Sequence, residues 1–294
     1  MIDVSNVTLQ YNNGKGVFDL NFKVAAGEVL GYLGPNGAGK TTTIRCLMGF
    51  MPVDKGSCKI NNLDCFKDAP AIQSNLGYIP GEIAFFEQMT GTEFLRFISD
   101  LRGVHNQKLQ NELLDRFELD PTGRIKRFSK GMKQKVGIIA AFMHDPQVII
   151  LDEPTSGLDP LMQNRFVELV MEAKEQGKTI LMSSHMFEEI EKTADRVLVI
   201  KDGRIIADNS IMELRNFQKK IYILDLKDAK QIKKLPKKYE VVKIDDTHYE
   251  VTVQGDKINK FIDDVSKLDL LNLHSKVQSL EEIFLNYYGR TTNS

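Results

Sequence analysis

Residues 34–41, "GPNGAGKT", fit the pattern G-x-x-x-x-G-K-[ST] and give the strongest indication of the fold. The apolar run "EVLGYL" (28–33) precedes it and predicts a buried strand, whereas "TTTIRCLMGF" (41–50) follows with apolar residues at helical spacing. A glycine-rich loop in this position lets backbone N–H groups surround phosphate oxygens, and the N-terminus of the following helix favours an anion. The sequence therefore predicts a nucleoside triphosphate site; a chance glycine-rich loop is the alternative.

The residues of this loop have predicted roles toward the nucleotide. We expect Lys40 to reach the β- and γ-phosphates and the Thr41 hydroxyl to coordinate Mg²⁺. The glycines are expected where a Cβ atom would intrude on a phosphate. The loop residues predicted to bind the nucleotide are Gly34, Pro35, Asn36, Gly37, Ala38, Gly39, Lys40, Thr41 and Thr42.

Two further strands are predicted to end in polar side chains at the same edge of a parallel sheet. "VIILDE" (148–153) places Asp152 and Glu153 directly after a buried strand, and "TILMSSH" (179–185) ends in His185. Ligands of open parallel sheets bind beyond the carboxyl ends of the strands. We therefore expect Asp152 to hold Mg²⁺ through water and Glu153 to orient and deprotonate an attacking water. His185 could contact the γ-phosphate; a structural or merely exposed histidine is the alternative.

The remaining pattern predicts an α/β chain with two parts. Apolar strand candidates alternate with helices up to about residue 214, which implies a parallel sheet covered on both faces. "KDGRIIAD" (201–208) predicts a hairpin that turns at Asp202–Gly203. From about 215 to 294 the pattern changes to antiparallel strands and helices, with a capping box at Ser279 and Glu282. This segment is predicted to be a small α+β accessory domain.

Composition excludes some classes of partner. Lys+Arg 39 against Asp+Glu 40 gives a formal net charge of -1, which argues against binding nucleic acid through bulk charge. The three cysteines, Cys46, Cys58 and Cys65, form no C-x-x-C pair and indicate reduced thiols in the cytosol. The sequence shows no signal peptide and no apolar run long enough to cross a bilayer. Any work at a membrane is therefore expected to go through a partner.

Four motifs in fixed order resemble one family. The chain carries "GPNGAGKT" (34–41), "FSKGM" (128–132), "LDEPTSGLDP" (151–160) and "SSH" (183–185). Over about residues 1–214 this set resembles the ATPase subunits of ATP-binding cassette (ABC) transporters, whereas GTPases and ordinary P-loop kinases lack it. The resemblance implies ATP and Mg²⁺ as ligands, and a P-loop ABC ATPase core. That core would have a mixed sheet flanked by helices and a helical subdomain at about 83–147.

"FSKGM" looks like the signature of that family, usually written LSGGQ. The resemblance implies that Ser129 and the backbone around Gly131 contact the γ-phosphate of ATP held by a second subunit, which requires a head-to-tail dimer. A helix beginning at Ser129 would present its hydroxyl and N–H groups to an anion; a simple N-cap beside solvated lysines is the alternative. The sequence departs from the family at Phe128, Lys130 and Met132, and the charge of Lys130 could favour phosphate. The signature residues predicted to act on the other subunit's ATP are Ser129, Lys130, Gly131 and Met132.

Other positions follow from the resemblance in the same way. Tyr11 matches the aromatic residue expected to stack on adenine, with packing at a strand edge as the alternative. Asp159 in "SGLD" resembles the loop that communicates across the dimer interface. After "LGYIP" the family has a glutamine that touches Mg²⁺, but this chain has Gly81 followed by Glu82. Either Glu82 substitutes as a metal ligand or the metal relies on water there.

The leading hypothesis is therefore the ATPase subunit of an exporter of drugs, peptides or antibiotics. The resemblance implies two partners, an integral membrane permease and a second ATPase subunit in a homodimer or heterodimer, and no nucleic acid. It places the chain peripherally on the cytoplasmic face of the membrane. An importer ATPase and an ABC ATPase acting on ribosomes or DNA remain alternatives. A kinase that uses the phosphate loop alone would not depend on Ser129.

Overall fold

A computed structural model describes residues 1–216, 220–253 and 257–277 of the chain. The strands are β1 (Ile2–Gln10), β2 (Gly16–Val24), β3 (Val29–Leu33), β4 (Lys55–Ile60), β5 (Leu63–Asp64), β6 (Leu76–Ile79), β7 (Val148–Asp152), β8 (Thr179–Ser184), β9 (Arg196–Lys201), β10 (Arg204–Ser210), β11 (Lys220–Leu226), β12 (Glu240–Lys243), β13 (His248–Val253) and β14 (Leu270–Val277). The helices are α1 (Lys40–Leu47), α2 (Ala69–Ser74), α3 (Gly91–Arg102), α4 (Gln107–Arg116), α5 (Lys130–Phe142), α6 (Pro160–Glu175), α7 (Phe187–Thr193), α8 (Ile211–Asn216) and α9 (Ile258–Val265). The chain divides into two units, Met1–Ile211 and Met212–Ser294, against a predicted boundary after residue 214.

The sheet that carries the phosphate loop has the order β10-β9-β3-β8-β7-β6. Strand β3 is buried at all of its positions and pairs in parallel with β8 on one side and β9 on the other. Strand β7 continues the parallel order, with Asp152 opposite Ser183, and Leu33 of β3 lies opposite Ser184. The carboxyl ends of β3, β7 and β8 therefore meet at one edge, as the sequence predicts.

A second sheet of the first unit is antiparallel and has the order β2-β1-β4-β5. Its apolar side chains, such as Val4 and Val17, pack in one buried cluster with Leu30 of the first sheet and Ile44 of α1. Burial of such side chains is the dominant stabilising term in folding. The phosphate-loop helix is thus held on its apolar face by both sheets.

The helix-rich stretch between β6 and β7 contains α3, α4 and α5, which confirms the prediction of helices there. Helix α3 begins with a capping box, in which Thr90 and Glu93 satisfy each other's backbone N–H groups, and Gly103 follows as a left-handed C-cap. Its last residue, Arg102, donates from Nη1 to the carbonyl oxygen of Gln73 at 2.8 Å. This hydrogen bond joins α3 to the end of α2.

The predicted hairpin is present between β9 and β10. Lys201 pairs with Arg204, and the two loop residues Asp202 and Gly203 have φ values of 49° and 75°. Positive φ at both positions is the geometry of a type I′ turn. In the first unit as described, no helix is both long and apolar enough to span a bilayer, and the same holds for the described part of the second unit.

The second unit contains the predicted antiparallel strands and a helix. Its sheet has the order β12-β13-β11-β14, and Phe261 of α9 is buried among Leu224, Val251 and Val265. Strand β14 was not predicted from the sequence. The predicted capping box at Ser279 and Glu282 lies outside the described residues.

Candidate active site

The phosphate loop forms a tight cradle at the N-terminus of α1. Gly39 caps the helix with φ 113°, and a Cβ atom there would lie 2.7 Å from Val17 Cγ1. The position therefore requires glycine both for its backbone angle and for space. Lys40 is 5% exposed; its Nζ donates to the carbonyl oxygen of Gly34 at 2.6 Å and lies 3.2 Å from Glu153 Oε1. The ammonium group is thus fixed inside the cradle.

A cavity of about 490 Å³ opens above this cradle. Tyr11 stands at its side, half-buried, with its hydroxyl 3.4 Å from both Thr42 Oγ1 and Met51 Sδ. Gly34 and Ala38 form the buried base of the loop. The lining residues are Tyr11, Asn13, Lys15, Gly16, Pro35, Asn36, Gly37, Gly39, Lys40, Thr41, Thr42, Arg45, Gly81, Glu82 and Glu153. One cavity, with its base, therefore contains the loop residues that are predicted to bind the phosphates. Tyr11 and the alternative metal ligand Glu82 line the same cavity.

Asp152 ends β7 with a carboxylate that is completely buried. Its Oδ1 accepts a hydrogen bond from Ser183 Oγ at 2.5 Å, whereas Oδ2 has no hydrogen-bond partner within the described residues. A buried carboxylate oxygen without a donor is costly unless a cation or water satisfies it. Burial, reinforced by the negative charge of Asp152 and partly offset by Arg45, raises the pKa of Tyr78 to about 12. The open oxygen fits a bound Mg²⁺ ion with water between them.

Gly81 packs directly on this carboxylate, since a Cβ atom at Gly81 would lie 3.2 Å from Asp152 Oδ2. A side chain here would therefore press on the aspartate. The residues that would hold Mg²⁺ are Thr41 and Asp152, and Glu82 lines the same cavity as Thr41. Among the described residues, no cluster of three or more His, Cys, Asp or Glu ligands is present.

Glu153 links three parts of the site. Its backbone has φ 51°, a left-handed conformation that is rare for a residue with a side chain and often marks functional positions. Its N–H donates to the carbonyl oxygen of Ser183 at 3.2 Å, which ties it to β8. Its Oε2 lies 2.5 Å from His185 Nδ1, and its Oε1 faces Lys40. The structure thus brings Lys40, Glu153 and His185 together, and the role of Glu153 as a base stays a prediction.

The signature residues lie at the start of α5. Ser129 is the N-cap, and its Oγ accepts from the backbone N–H of Met132 at 3.2 Å. Lys130 donates from Nζ to Ser156 Oγ at 2.9 Å, so its ammonium group faces a loop of its own chain. Asp159 is likewise an N-cap, of α6, and accepts from Met162 N at 3.0 Å. The N-cap geometry of Ser129 is therefore present, and its action on a second subunit stays a prediction.

Sequence analysis missed one buried acid. Glu189 in α7 accepts hydrogen bonds from the hydroxyls of Thr155 and, at 2.9 Å, Ser184. Thr155 follows Glu153 by two residues, and Ser184, the last residue of β8, precedes His185. Glu189 therefore joins the loop after Glu153 to the end of β8. The only sequence signal is an acidic residue on the apolar face of a short helix.

Comparison with known proteins settles the family. A model of the family described as ABC transporter matches residues 17–156. The bacitracin transport ATP-binding protein BcrA of Bacillus licheniformis is 32% identical over 99% of this chain and 98% of its own length. The chain belongs to the ABC transporter ATP-binding family. This ABC ATPase is also 30% identical to the linearmycin resistance ATP-binding protein LnrL of Bacillus subtilis, over 99% of both chains.

Solved structures show the same fold for the ABC ATPase. The ATP-binding subunit of an ABC transporter superposes with a TM-score of 0.68 and 32% identity, over 73% of this chain and 92% of that one. A dimeric ATP-binding cassette bound to ADP and Pi in a post-hydrolysis state gives a TM-score of 0.64 at 22% identity, over 72% and 99%. The predicted fold class, a P-loop ABC ATPase with flanking helices, is confirmed. The chain is an ATPase that binds ATP with Mg²⁺.

Proposed function

We propose that this ABC ATPase energises the export of a peptide, drug or antibiotic through a separate membrane permease. One observation carries the direction of transport. The similarity to BcrA and LnrL extends over nearly the whole length of each chain, and therefore includes the second unit as well as the ATPase unit. Their names state bacitracin transport and linearmycin resistance. Similarity over this full length supports the same kind of function, transport of or resistance to an antibiotic, for this chain.

The site supports hydrolysis with Glu153 as general base. Its carboxylate is within hydrogen-bond distance of His185, which fixes its orientation, and Lys40 lies on its other side. A water between Glu153 and the γ-phosphate would lose its proton to the carboxylate as it attacks phosphorus, and the bond from phosphorus to the β–γ bridging oxygen would break to release ADP and inorganic phosphate. Lys40 would hold the β- and γ-phosphates, and Thr41 and Asp152 would hold Mg²⁺. The bound ion neutralises charge on the phosphate oxygens.

Two subunits and a permease complete the proposed assembly. Ser129 and Gly131 would present donors at the N-terminus of α5 to ATP on the second subunit, and Asp159 would lie at that interface. The region around α3 offers a surface for the permease. Phe86 is 57% exposed and Phe97 37% exposed, and their rings meet edge to face with centroids 5.5 Å apart. Exposed aromatic pairs of this kind often mark binding surfaces, and this one would face the cytoplasmic side of the permease.

Expression of Glu153→Gln in the native host tests the proposal. The substitution keeps the shape of the side chain but removes the base, so ATP-bound dimers should accumulate. After addition of ATP and gentle extraction of the membrane, a protein with several membrane spans should copurify. The double variant Phe86→Ser/Phe97→Ser should bind ATP but lose the membrane protein. Lys40→Met in the same background should lose ATP-dependent capture.

The outcomes separate the alternatives. The captured permease, reconstituted in vesicles with the wild-type chain, should move substrate away from the ATPase side; movement toward that side would indicate an importer. Copurification of ribosomes or DNA, or recovery of a monomer alone, would contradict the transporter assignment.

A further inference from the structure

The loop 154–157 packs against the first turn of α5, and Lys130 makes the outermost contact. Its Nζ donates to Ser156 Oγ at 2.9 Å, and both side chains lie at least partly in solvent. A Cβ atom added to Gly157 would lie 2.9 Å from Lys130 Cγ and 3.0 Å from its Cδ. The aliphatic part of Lys130 therefore lies flat on the backbone of Gly157 while its charged end binds the serine.

The backbones of the two elements also approach closely. A Cβ atom on Gly131 would lie 2.8 Å from the carbonyl oxygen of Gly157. One turn further along α5, Gln134 is buried and donates from Nε2 to the carbonyl oxygen of Pro154 at 2.7 Å. Gln134 thus anchors the inner end of the loop to α5, and Lys130 covers the outer end. Asp159 follows two residues after Gly157, at the start of α6.

We propose that Lys130 is a positioning residue that clamps the start of the signature helix to the Ser156–Gly157 loop of its own chain. The inference rests on the proposed two-subunit function. Ser129, Gly131 and Asp159 would then approach the second subunit as one preformed surface, and less conformational freedom would be lost on docking. Glycine, the usual residue at this position of the signature, has no side chain with which to make either contact.

This assignment differs from direct phosphate binding by Lys130. If Lys130 contacted ATP on the second subunit, its role would not depend on Ser156. If Lys130 is a clamp, its role depends on both Lys130 and Ser156. The two substitutions Lys130→Met and Ser156→Ala therefore distinguish the roles. Methionine keeps an aliphatic chain over Gly157 and removes the charge, and alanine removes only the hydroxyl.

Hydrogen exchange of the nucleotide-free full-length chain measures the clamp without requiring a dimer. Two backbone hydrogen bonds hold the loop, from Ser156 N to Glu153 O and from Leu158 N to Thr155 O. Each single variant should speed exchange at these amides by about two- to fivefold, the range expected for the loss of one partly exposed hydrogen bond. The double variant should show no further increase. Lys130→Arg should restore most of the protection, and Lys126→Met, which removes an exposed lysine just before the signature, should change nothing.

The effect on assembly is measured in the Glu153→Gln background with ATP. Lys130→Met and Ser156→Ala should each raise the protein concentration for half-maximal dimer formation by about two- to fivefold. The double variant should be no worse than either single one. In chains that retain Glu153, each variant should raise the ATP concentration for half-maximal hydrolysis by a larger factor than it lowers the maximal rate.

Three results would overturn the clamp. One is unchanged exchange of loop amides 156 and 158 in both variants. The second is an effect of Lys130→Met on dimer formation that Ser156→Ala does not share, which would assign Lys130 to phosphate binding. The third is a double variant in which the fold-changes caused by Lys130→Met and Ser156→Ala multiply, because independent effects would mean that the two side chains do not act through one contact. Ser129→Ala tests the two-subunit function separately: if it leaves ATP-driven dimer formation intact, the proposed function fails whatever the exchange rates show.

Discussion

Glu153 and Lys40 form an ion pair across the phosphate cradle, with Oε1 3.2 Å from Nζ. The predicted base and the predicted phosphate ligand therefore neutralise each other when both are ionised. A γ-phosphate that entered the cradle would compete with Glu153 for the same ammonium group. We therefore expect nucleotide binding to release the predicted base from this ion pair.

Substitution of Glu153 by glutamine should uncouple binding from hydrolysis. Because the neutral amide competes less well than the carboxylate with the γ-phosphate for Lys40, the ATP affinity should be equal to or higher than that of the wild type. The rate of hydrolysis should fall by at least about 100-fold, since general-base catalysis contributes that much or more. Equilibrium binding of a fluorescent ATP analogue and a phosphate-release assay measure the two effects. A variant that hydrolyses ATP at the wild-type rate would remove Glu153 from the mechanism.

Substitution of Lys40 by methionine should weaken ATP binding by about 10- to 100-fold, the loss expected for a hydrogen bond to a charged group. Methionine fills similar space, so the fold should persist. Lys108→Met is a suitable control, because Lys108 is an exposed residue of α4 with an 88% exposed side chain. Titration with labelled ATP should show normal affinity for the control. Equal affinities of the two variants would contradict the role of Lys40.

Glu189 should matter for stability as well as for activity. In Glu189→Leu the buried hydroxyls of Thr155 and Ser184 lose their acceptor, which should lower the free energy of unfolding by at least about 2 kcal/mol. Glu189→Gln keeps one carbonyl oxygen and should cost less than about half as much. Chemical denaturation measures both values. Wild-type stability of the leucine variant would show that the two hydrogen bonds contribute nothing.

His144 should make the chain sensitive to acid. Burial, reinforced by the charges of Arg102 and Lys178 and partly offset by the backbone of Leu76 and Ala140, lowers the pKa of His144 from 6.5 to about 4. The folded state therefore binds fewer protons than the unfolded state between these values. Its stabilising contribution is complete above about pH 6.5 and is lost as the pH falls toward 4, up to about 3 kcal/mol.

The substitution His144→Gln removes this titration. Thermal unfolding midpoints at pH 7 and pH 5 should differ less in the variant than in the wild type, whatever the variant's absolute stability. Equal pH dependence of the two proteins would assign the acid sensitivity to other groups.

Local sequence patterns were sufficient to predict many of the structural elements of this chain. The phosphate loop, the strands before Asp152 and His185, and the hairpin at Asp202–Gly203 each carry a signal within a few residues, because burial and turn geometry impose specific residue types. Strand β14 was missed for the opposite reason. Leu271 is 63% exposed and Leu273 39% exposed, so the segment lacks a continuous buried face, and it becomes a strand by pairing with β11. Pairing between distant segments leaves little local signal.

The motifs of the sequence were sufficient to predict the residues of the nucleotide site and, through the resemblance that they carry, to identify the family. These motifs specify backbone angles and charges through interactions between residues that are close in the sequence. Three contacts come from the tertiary fold: Lys130 faces Ser156, Gly81 packs on Asp152, and Glu189 joins the loop that contains Thr155 to the end of β8. Those contacts join segments from 5 to 71 positions apart in the chain, with the longest between Gly81 and Asp152. Such distances are fixed by strand order and helix packing, which no short pattern specifies.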